Sequence, residues 1–190
     1  MRAMNATDAT AVLALSGSLR RASHNTALLR AAAASAPATL RVSLYEAGVR
    51  VPLFDEDLER EGVPGDVQQL SAALAAADAV LIATPEYNQS IPGVLKNALD
   101  WVSRRKPHPL AGKAVAILGA TTGPWGTRYA QSMLRHTLTG SGALVMPVPQ
   151  VFMRGAEVAL AGGQADAATM ESLTRFMTAF ADWVAFTRRR

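Results

Sequence analysis

The sequence predicts a doubly wound α/β fold, in which a mainly parallel sheet of five strands carries helices on both faces. Five short apolar runs recur along the 190 residues, and a segment with helical spacing of apolar residues separates each run from the next. No linker, repeat or low-complexity block interrupts this alternation, which is typical of parallel sheets joined by crossover helices. We therefore expect a single domain over residues 1–190, with flexible ends at about 1–9 and 188–190.

The predicted strands are the apolar or alternating runs, because both patterns are typical of strands. They cover residues 11–15, 40–45, 79–83, 114–118 and 143–146. The predicted helices cover residues 26–34, from 64 through 74, about 92 to 104, 130 through 138, and about 164 to 187. Pro64 suits a first helical turn. Met133 and Leu134 are expected in the core, and the acidic segment 51–62 is expected to be a loop.

Three unusual loops follow the first, third and fourth predicted strands. They cover residues 17–25, 84–92 and 119–126. In the flavodoxin-like strand order 2-1-3-4-5 these strands are neighbours, and ligands bind beyond the carboxyl ends of such strands. The three loops are therefore expected to line one crevice.

The first loop is rich in groups that bind anions. Ser18, Ser23 and Asn25 offer side-chain donors, Arg20 offers a forked charge suited to phosphate, and a predicted helix begins directly after them. Capping of that helix by Ser23 or Asn25 is the alternative explanation, although it accounts for only one of these residues.

The second loop is expected to bind something flat and polar. Pro85 fixes its conformation, Tyr87 offers an aromatic ring and Asn88 an amide, all beyond the end of an apolar strand. A ligand with a phosphate at the first loop and a planar ring at the other two fits this layout, and FMN is such a ligand.

Composition excludes several other classes of site. The chain has no cysteine, so thiolate chemistry and cysteine-based zinc sites are excluded, and any redox chemistry requires a bound cofactor. Three scattered histidines without metal-ligand spacing argue against a metal site. The net charge of +4 includes Arg188–Arg190 and comes with no nucleic-acid-binding motif. No apolar run approaches the roughly 20 residues that span a bilayer, so we expect a cytoplasmic protein without nucleic-acid or membrane partners.

Two long motifs resemble the NAD(P)H-dependent FMN reductase family, which includes quinone, chromate and azo-dye reductases. They are Gly17-Ser-Leu-Arg20 with Ser23 and Asn25, and residues 85–101 beginning Pro-Glu-Tyr-Asn; the similarity covers most of residues 11–155. The resemblance implies that the FMN phosphate is held by Ser18, Arg20, Ser23 and Asn25. It implies that the isoalloxazine ring is bordered by Pro85, Glu86, Tyr87, Asn88, Thr121, Thr122 and Gly123. Pro124 and Trp125 are bulkier than the small residues expected at their positions.

The resemblance also implies an activity. NAD(P)H would reduce the flavin, and a small acceptor (quinone, free flavin, azo compound or chromate) would then take the electrons from the same site, in ping-pong order. No catalytic side chain is assigned, because the cofactor carries the chemistry. A homodimer or homotetramer is implied. A flavodoxin-type electron carrier and a flavin-binding regulatory protein without NAD(P)H oxidase activity stay as alternatives, as does a flavin-free regulator, and the sequence leaves the choice between NADPH and NADH open.

Overall fold

Strands and helices alternate along residues 9–189, the part of the chain that a computed structural model describes. The strands are β1 Thr10–Ser16, β2 Leu40–Leu44, β3 Ala79–Ala83, β4 Ala114–Ala120, β5 Leu144–Val145 and β6 Val151–Met153. The helices are α1 His24–Ala34, α2 Glu56–Glu61, α3 Gly65–Ala76, α4 Gly93–Ser103, α5 Arg128–Gly140, α6 Ala156–Ala159 and α7 Ala167–Thr187. A short 3₁₀ turn, Ala161–Gly163, lies between α6 and α7.

The sheet has the strand order β2-β1-β3-β4-β5, and every one of these pairs is parallel. Val12 of β1, for example, is opposite Val42 of β2 and Ala79 of β3. The predicted flavodoxin-like order is therefore confirmed. It makes the three strands that precede the unusual loops direct neighbours in the sheet.

Both faces of the sheet are covered by helices. On one face α1 and α7 bury Leu28, Phe176 and Phe180 in a core cluster. On the other face α3, α4 and α5 bury a second cluster. Strand β3 contributes to both, with Leu81 in the first cluster and Ile82 in the second, because successive side chains of a strand point to opposite faces. The two helix layers therefore hold the carboxyl ends of the central strands in a fixed position.

The fifth position of the sheet differs from the prediction, because two short strands share it. β5 pairs with the start of β4, and β6 pairs with the end of β4, from Leu118 to Ala120. Pro147 and Pro149 lie between the two strands. Proline cannot donate to a sheet ladder, so pairing stops after β5 and resumes at β6.

Three local predictions are also corrected. The segment 51–62 contains a helix, α2, whose N-cap Asp55 accepts a hydrogen bond from the backbone N–H of Asp57 at 2.8 Å. Helix α7 begins at Ala167 rather than near 164, since Asp166 caps it through the N–H of Thr169 at 2.7 Å. Met133 is 48% exposed although Leu134 is buried, because adjacent helical residues point about 100° apart.

The chain ends were expected to be flexible. Residues 1–8 and 190 lie outside the described residues. Arg188 forms an exposed ion pair with Asp78, with 3.2 Å between Nη2 and Oδ1, and Arg189 donates from Nε to the carbonyl of Ala185 at 3.2 Å. Between residues 9 and 189, no helix combines the length and the apolar character that crossing a membrane requires.

Candidate cofactor-binding site

The three loops meet at the carboxyl edge of the sheet around a cavity of about 150 Å³. Nine of the eleven predicted site residues line it, and Asn88 and Gly123 do not. His24 and Ala120 line it without having been predicted. The full lining is Ser18, Arg20, Ser23, His24, Asn25, Pro85, Glu86, Tyr87, Ala120, Thr121 and Thr122.

The first loop begins in close contact with the end of β3. The N–H of Gly17 donates to the carbonyl of Ala83 at 2.8 Å. A Cβ at position 17 would lie 2.9 Å from Cδ2 of Leu95 and 3.2 Å from the carbonyl oxygen of Ala83, so a larger residue would force the loop or one of these neighbours to shift. Glycine therefore brings the first loop against the strand from which the second loop departs.

The two serines of the first loop organise its backbone. Oγ of Ser23 accepts the N–H of Thr26 at 3.3 Å as the N-cap of α1, and Oγ of Ser18 accepts the N–H of Arg20 at 3.4 Å. A hydroxyl that accepts still has its own proton to donate. Helix capping and anion binding are therefore compatible at Ser23, where the sequence left them as alternatives.

Asn25 uses its side chain to connect two elements. Its Nδ2 donates to the carbonyl of Ala120, and its Oδ1 accepts the N–H of Ala120, both at 2.9 Å. Both residues are buried. This pair, which we call the Asn25–Ala120 clamp, holds the first turn of α1 beside the end of β4. The backbone N–H of Asn25 lies in that first turn, where N–H groups have no partner within the helix.

The second loop is a tight hairpin. The N–H of Tyr87 donates to the carbonyl of Ser90 at 3.1 Å, and the N–H of Ser90 donates back at 3.0 Å. Asn88 and Gln89 at its tip have positive φ angles of 50° and 60°, which two-residue hairpins of type I′ require. The turn leaves the side chain of Tyr87 half exposed beside the cavity.

Glu86 joins the second loop to the helix that follows the third. Its Oε2 accepts the N–H of Ala130 at 3.0 Å, in the first turn of α5. A carboxylate is stabilised there by the unpaired N–H groups and the positive end of the helix dipole. This hydrogen bond ties the second loop to the start of α5.

The third loop is held by β6 and α6. The N–H of Thr121 donates to the carbonyl of Met153, and the carbonyl of Thr121 accepts the N–H of Ala156, both at 3.1 Å. Oγ1 of Thr121 accepts the N–H of Gly123 at 3.2 Å. Trp125 projects outward and is 76% exposed. The sequence did not predict β6 or α6, so this support was missed.

Gly119 was also missed, although it sets the close packing behind the cavity. A Cβ at this position would lie 2.0 Å from Oγ1 of Thr127 and 2.5 Å from the carbonyl oxygen of Thr84. A glycine at the end of an otherwise aliphatic strand is the available sequence signal, because it often marks a close backbone approach.

The arrangement suits FMN. At one end Arg20, two serine hydroxyls and the first turn of α1 form a donor set that matches a phosphate dianion. At the other end residues 85–87 of the second loop and 120–122 of the third line the same cavity. Backbone N–H and C=O groups are the kind of partner that a flat heterocycle with both donors and acceptors requires.

The known proteins that this chain resembles are reductases that use NAD(P)H, flavin or quinone. An NAD(P)H-dependent FMN reductase of Pseudomonas aeruginosa is 43% identical over 146 residues, which are 77% of this chain and 78% of that protein. A quinone reductase of Escherichia coli is 40% identical over 178 residues, covering 91% and 94% of the two chains. Among solved structures, FerB, a flavoenzyme NAD(P)H:(acceptor) oxidoreductase from Paracoccus denitrificans, matches with a TM-score of 0.83 at 34% identity, covering 94% and 98%.

The family model described as NADPH-dependent FMN reductase matches residues 10–158. This range contains all six described strands and the three loops of the cavity. The chain therefore belongs to the NADPH-dependent FMN reductase family, oxidoreductases whose cofactors are FMN and NAD(P)H.

Proposed function

We propose that this protein is an FMN-dependent oxidoreductase that takes electrons from NAD(P)H and passes them to a quinone. The observation that carries the proposal is the convergence of phosphate donors from the first loop with the backbone of the other two loops in one cavity. A quinone is placed first because a relative that shares most of the chain is named a quinone reductase. Free flavin, azo compounds and chromate are the further acceptors to be assayed.

In this proposal the first loop binds the phosphate of FMN. Arg20 supplies a full charge, Ser18 and Ser23 donate their hydroxyl protons, and the N–H groups of the first turn of α1, including that of Asn25, complete the set. The Asn25–Ala120 clamp sets the distance between the phosphate-binding first loop and the third loop.

The other two loops border the ring. Residues 85–87, 121 and 122 line the cavity, and Asn88 and Gly123 adjoin them in the chain. In this proposal these residues offer mainly backbone groups, which orient a ring without taking part in proton transfer. When bound, FMN supplies the redox step, accepting two electrons from NAD(P)H and releasing them to the acceptor. We expect donor and acceptor to occupy this one site in turn, with ping-pong kinetics.

We also propose a homodimer or homotetramer in the cytoplasm. Tyr129 and Met133 lie four residues apart on α5, Trp125 lies in the loop just before this helix, and all three are about half exposed or more. Large apolar side chains exposed at helical spacing are typical of subunit contacts. Sedimentation velocity measures the assembly state directly, and a monomer would contradict this part of the proposal. The cytoplasm is proposed because the reaction consumes reduced nicotinamide, which that compartment regenerates.

The decisive experiment is an absorbance spectrum of the protein reconstituted with FMN and then mixed anaerobically with NADPH or NADH. We expect a bound-flavin spectrum that bleaches within seconds and returns when a quinone is added. Flavin that only dithionite bleaches would instead support an electron carrier. Failure to bind FMN at all would overturn the proposal.

A further inference from the structure

Helix α5 takes its N-terminal cap from another loop. Its own N-cap residue, Thr127, makes no side-chain hydrogen bond to the first turn of the helix, and Oγ1 of Thr127 instead accepts the Nε2 amide group of Gln131 at 2.9 Å. Oε2 of Glu86 accepts the N–H of Ala130 at 3.0 Å. Glu86 therefore supplies, from the second loop, the acceptor that an N-cap side chain usually supplies.

The cap fixes the position of a carboxylate in the wall of the flavin cavity, which Glu86 also lines. Ala130 is fully buried, and α5 packs on the sheet through Leu134 and Leu138, so the oxygen bound to its N–H has little freedom to move. No lysine or arginine among residues 9–189 forms an ion pair with Glu86. Its negative charge is stabilised by the start of α5 and is not neutralised by a described cationic side chain.

The charges around the cavity are divided between its two ends. Arg20 and His24 come from the first loop and the start of α1, where the FMN phosphate is proposed to bind. The wall that is proposed to border the ring consists of residues 85–87 and 120–122, and Glu86 is the one charged side chain among them. A ring bound there would therefore lie beside a negative charge.

The ring becomes more negative when FMN is reduced. Two electrons and one proton convert FMN to FMNH⁻, and NAD(P)H supplies them together as a hydride. A quinone then accepts the two electrons with two protons, one from FMNH⁻ and one from water. A carboxylate near the ring makes the reduced, anionic form less stable relative to the oxidised form, because like charges repel.

We propose that the charge of Glu86 lowers the midpoint potential of bound FMN, so that the reduced enzyme passes its electrons to a quinone more readily. The inference rests on the proposed function, which names FMN as the cofactor and a quinone as the acceptor. In this role the carboxylate both holds the second loop against α5 and sets the charge beside the ring.

The first test separates the charge of Glu86 from its hydrogen bond. In Glu86→Gln the amide oxygen can still accept the N–H of Ala130, while the charge is lost. Glu46→Gln, which removes an exposed carboxylate outside the flavin cavity, is the matched control. Anaerobic titration with dithionite beside a reference dye measures the midpoint potential of bound FMN. We expect Glu86→Gln to raise it by about 30 mV or more, which is about a tenfold change in a two-electron equilibrium, and Glu46→Gln to leave it unchanged.

The second test removes the hydrogen bond as well. Glu86→Ala keeps neither the charge nor the acceptor for the N–H of Ala130. We expect it to lower the urea midpoint of unfolding and to weaken FMN binding, whereas Glu86→Gln keeps an unfolding midpoint close to that of the wild type. Both variants should raise the potential. A rise in Glu86→Ala alone would overturn the inference, because it would come from displacement of the second loop rather than from the charge.

Dithionite reduces the flavin without NAD(P)H, so the midpoint potential tests this inference separately from the proposed function. An unchanged potential in Glu86→Gln, or an equal rise in Glu46→Gln, would overturn the inference and leave the proposed function intact. A raised potential in Glu86→Gln, in a protein whose flavin neither NADPH nor NADH reduces, would support the role of the Glu86 charge and contradict the proposed function.

Discussion

Asn25 and Ala120 are 95 residues apart in the chain, and the side chain of one binds both backbone polar groups of the other. Asn25 lies in the first turn of α1, and Ala120 is the last residue of β4. The clamp therefore joins the first and third loops directly behind the cavity. Because both residues are buried, no water molecule can easily replace either bond.

Replacing Asn25 by alanine should destabilise the protein by about 2 kcal/mol, the usual cost of leaving buried polar groups without partners. Asn25→Asp is the informative companion, since a carboxylate can still accept the N–H of Ala120 but cannot donate to its carbonyl. We expect both variants to lower the urea midpoint and to weaken FMN binding. An unchanged midpoint for Asn25→Ala would show that the clamp does not hold the two loops.

Replacing Arg20 by alanine should weaken FMN binding about tenfold or more, because one charge-assisted partner of the phosphate is lost. Quenching of flavin fluorescence during titration measures the dissociation constant. Riboflavin, which lacks the phosphate, supplies the control ligand, and its affinity should not respond to the substitution. If FMN and riboflavin lose affinity equally, Arg20 does not bind the phosphate.

Replacing Gly119 by alanine should destabilise the protein by about 1–3 kcal/mol or prevent folding, as overpacking of a close-packed site does. The new Cβ would overlap Oγ1 of Thr127 and the carbonyl oxygen of Thr84. Gly65→Ala is the matched control, since a Cβ there has nothing within 4 Å and the residue opens α3 with an ordinary φ. Thermal unfolding of both variants tests this, and equal Tm values would contradict the packing argument.

The cap of α7 should make stability depend on pH. The backbone N–H of Thr169, followed by its hydroxyl, lowers the pKa of Asp166. A carboxyl whose pKa is lower in the folded state stabilises the protein above the unfolded pKa, about 3.9, and loses this effect as the pH falls through the folded value. The Tm difference between wild type and Asp166→Ala should therefore be constant near neutral pH and shrink below about pH 4.

Asp166→Asn provides the control for this titration. Asparagine caps helices as well as aspartate does but carries no ionisable group. Its Tm advantage over Asp166→Ala should be independent of pH. A wild-type advantage that persists unchanged in acid would show that the charge of Asp166 does not contribute.

The sequence determined the architecture because the signals for it are local. Aliphatic runs and helical spacing defined five of the six described strands and most helices. The positions of three unusual loops after β1, β3 and β4 identified the edge of the sheet that carries the site. The hydroxyls and arginine of the first loop were recognisable for the same reason, since a helix N-terminus and the donors around it are neighbours in the chain.

Only the tertiary structure decided how those parts fit. The Asn25–Ala120 clamp, the hydrogen bond from Ala130 to Glu86 and the packing around Gly119 each join residues from different elements. A cavity of about 320 Å³ likewise gathers Arg20, Arg30 and Arg50 from three segments of the chain. The physical reason is that such contacts depend on the distance between elements after they pack, and no spacing of residue types along the chain encodes that distance.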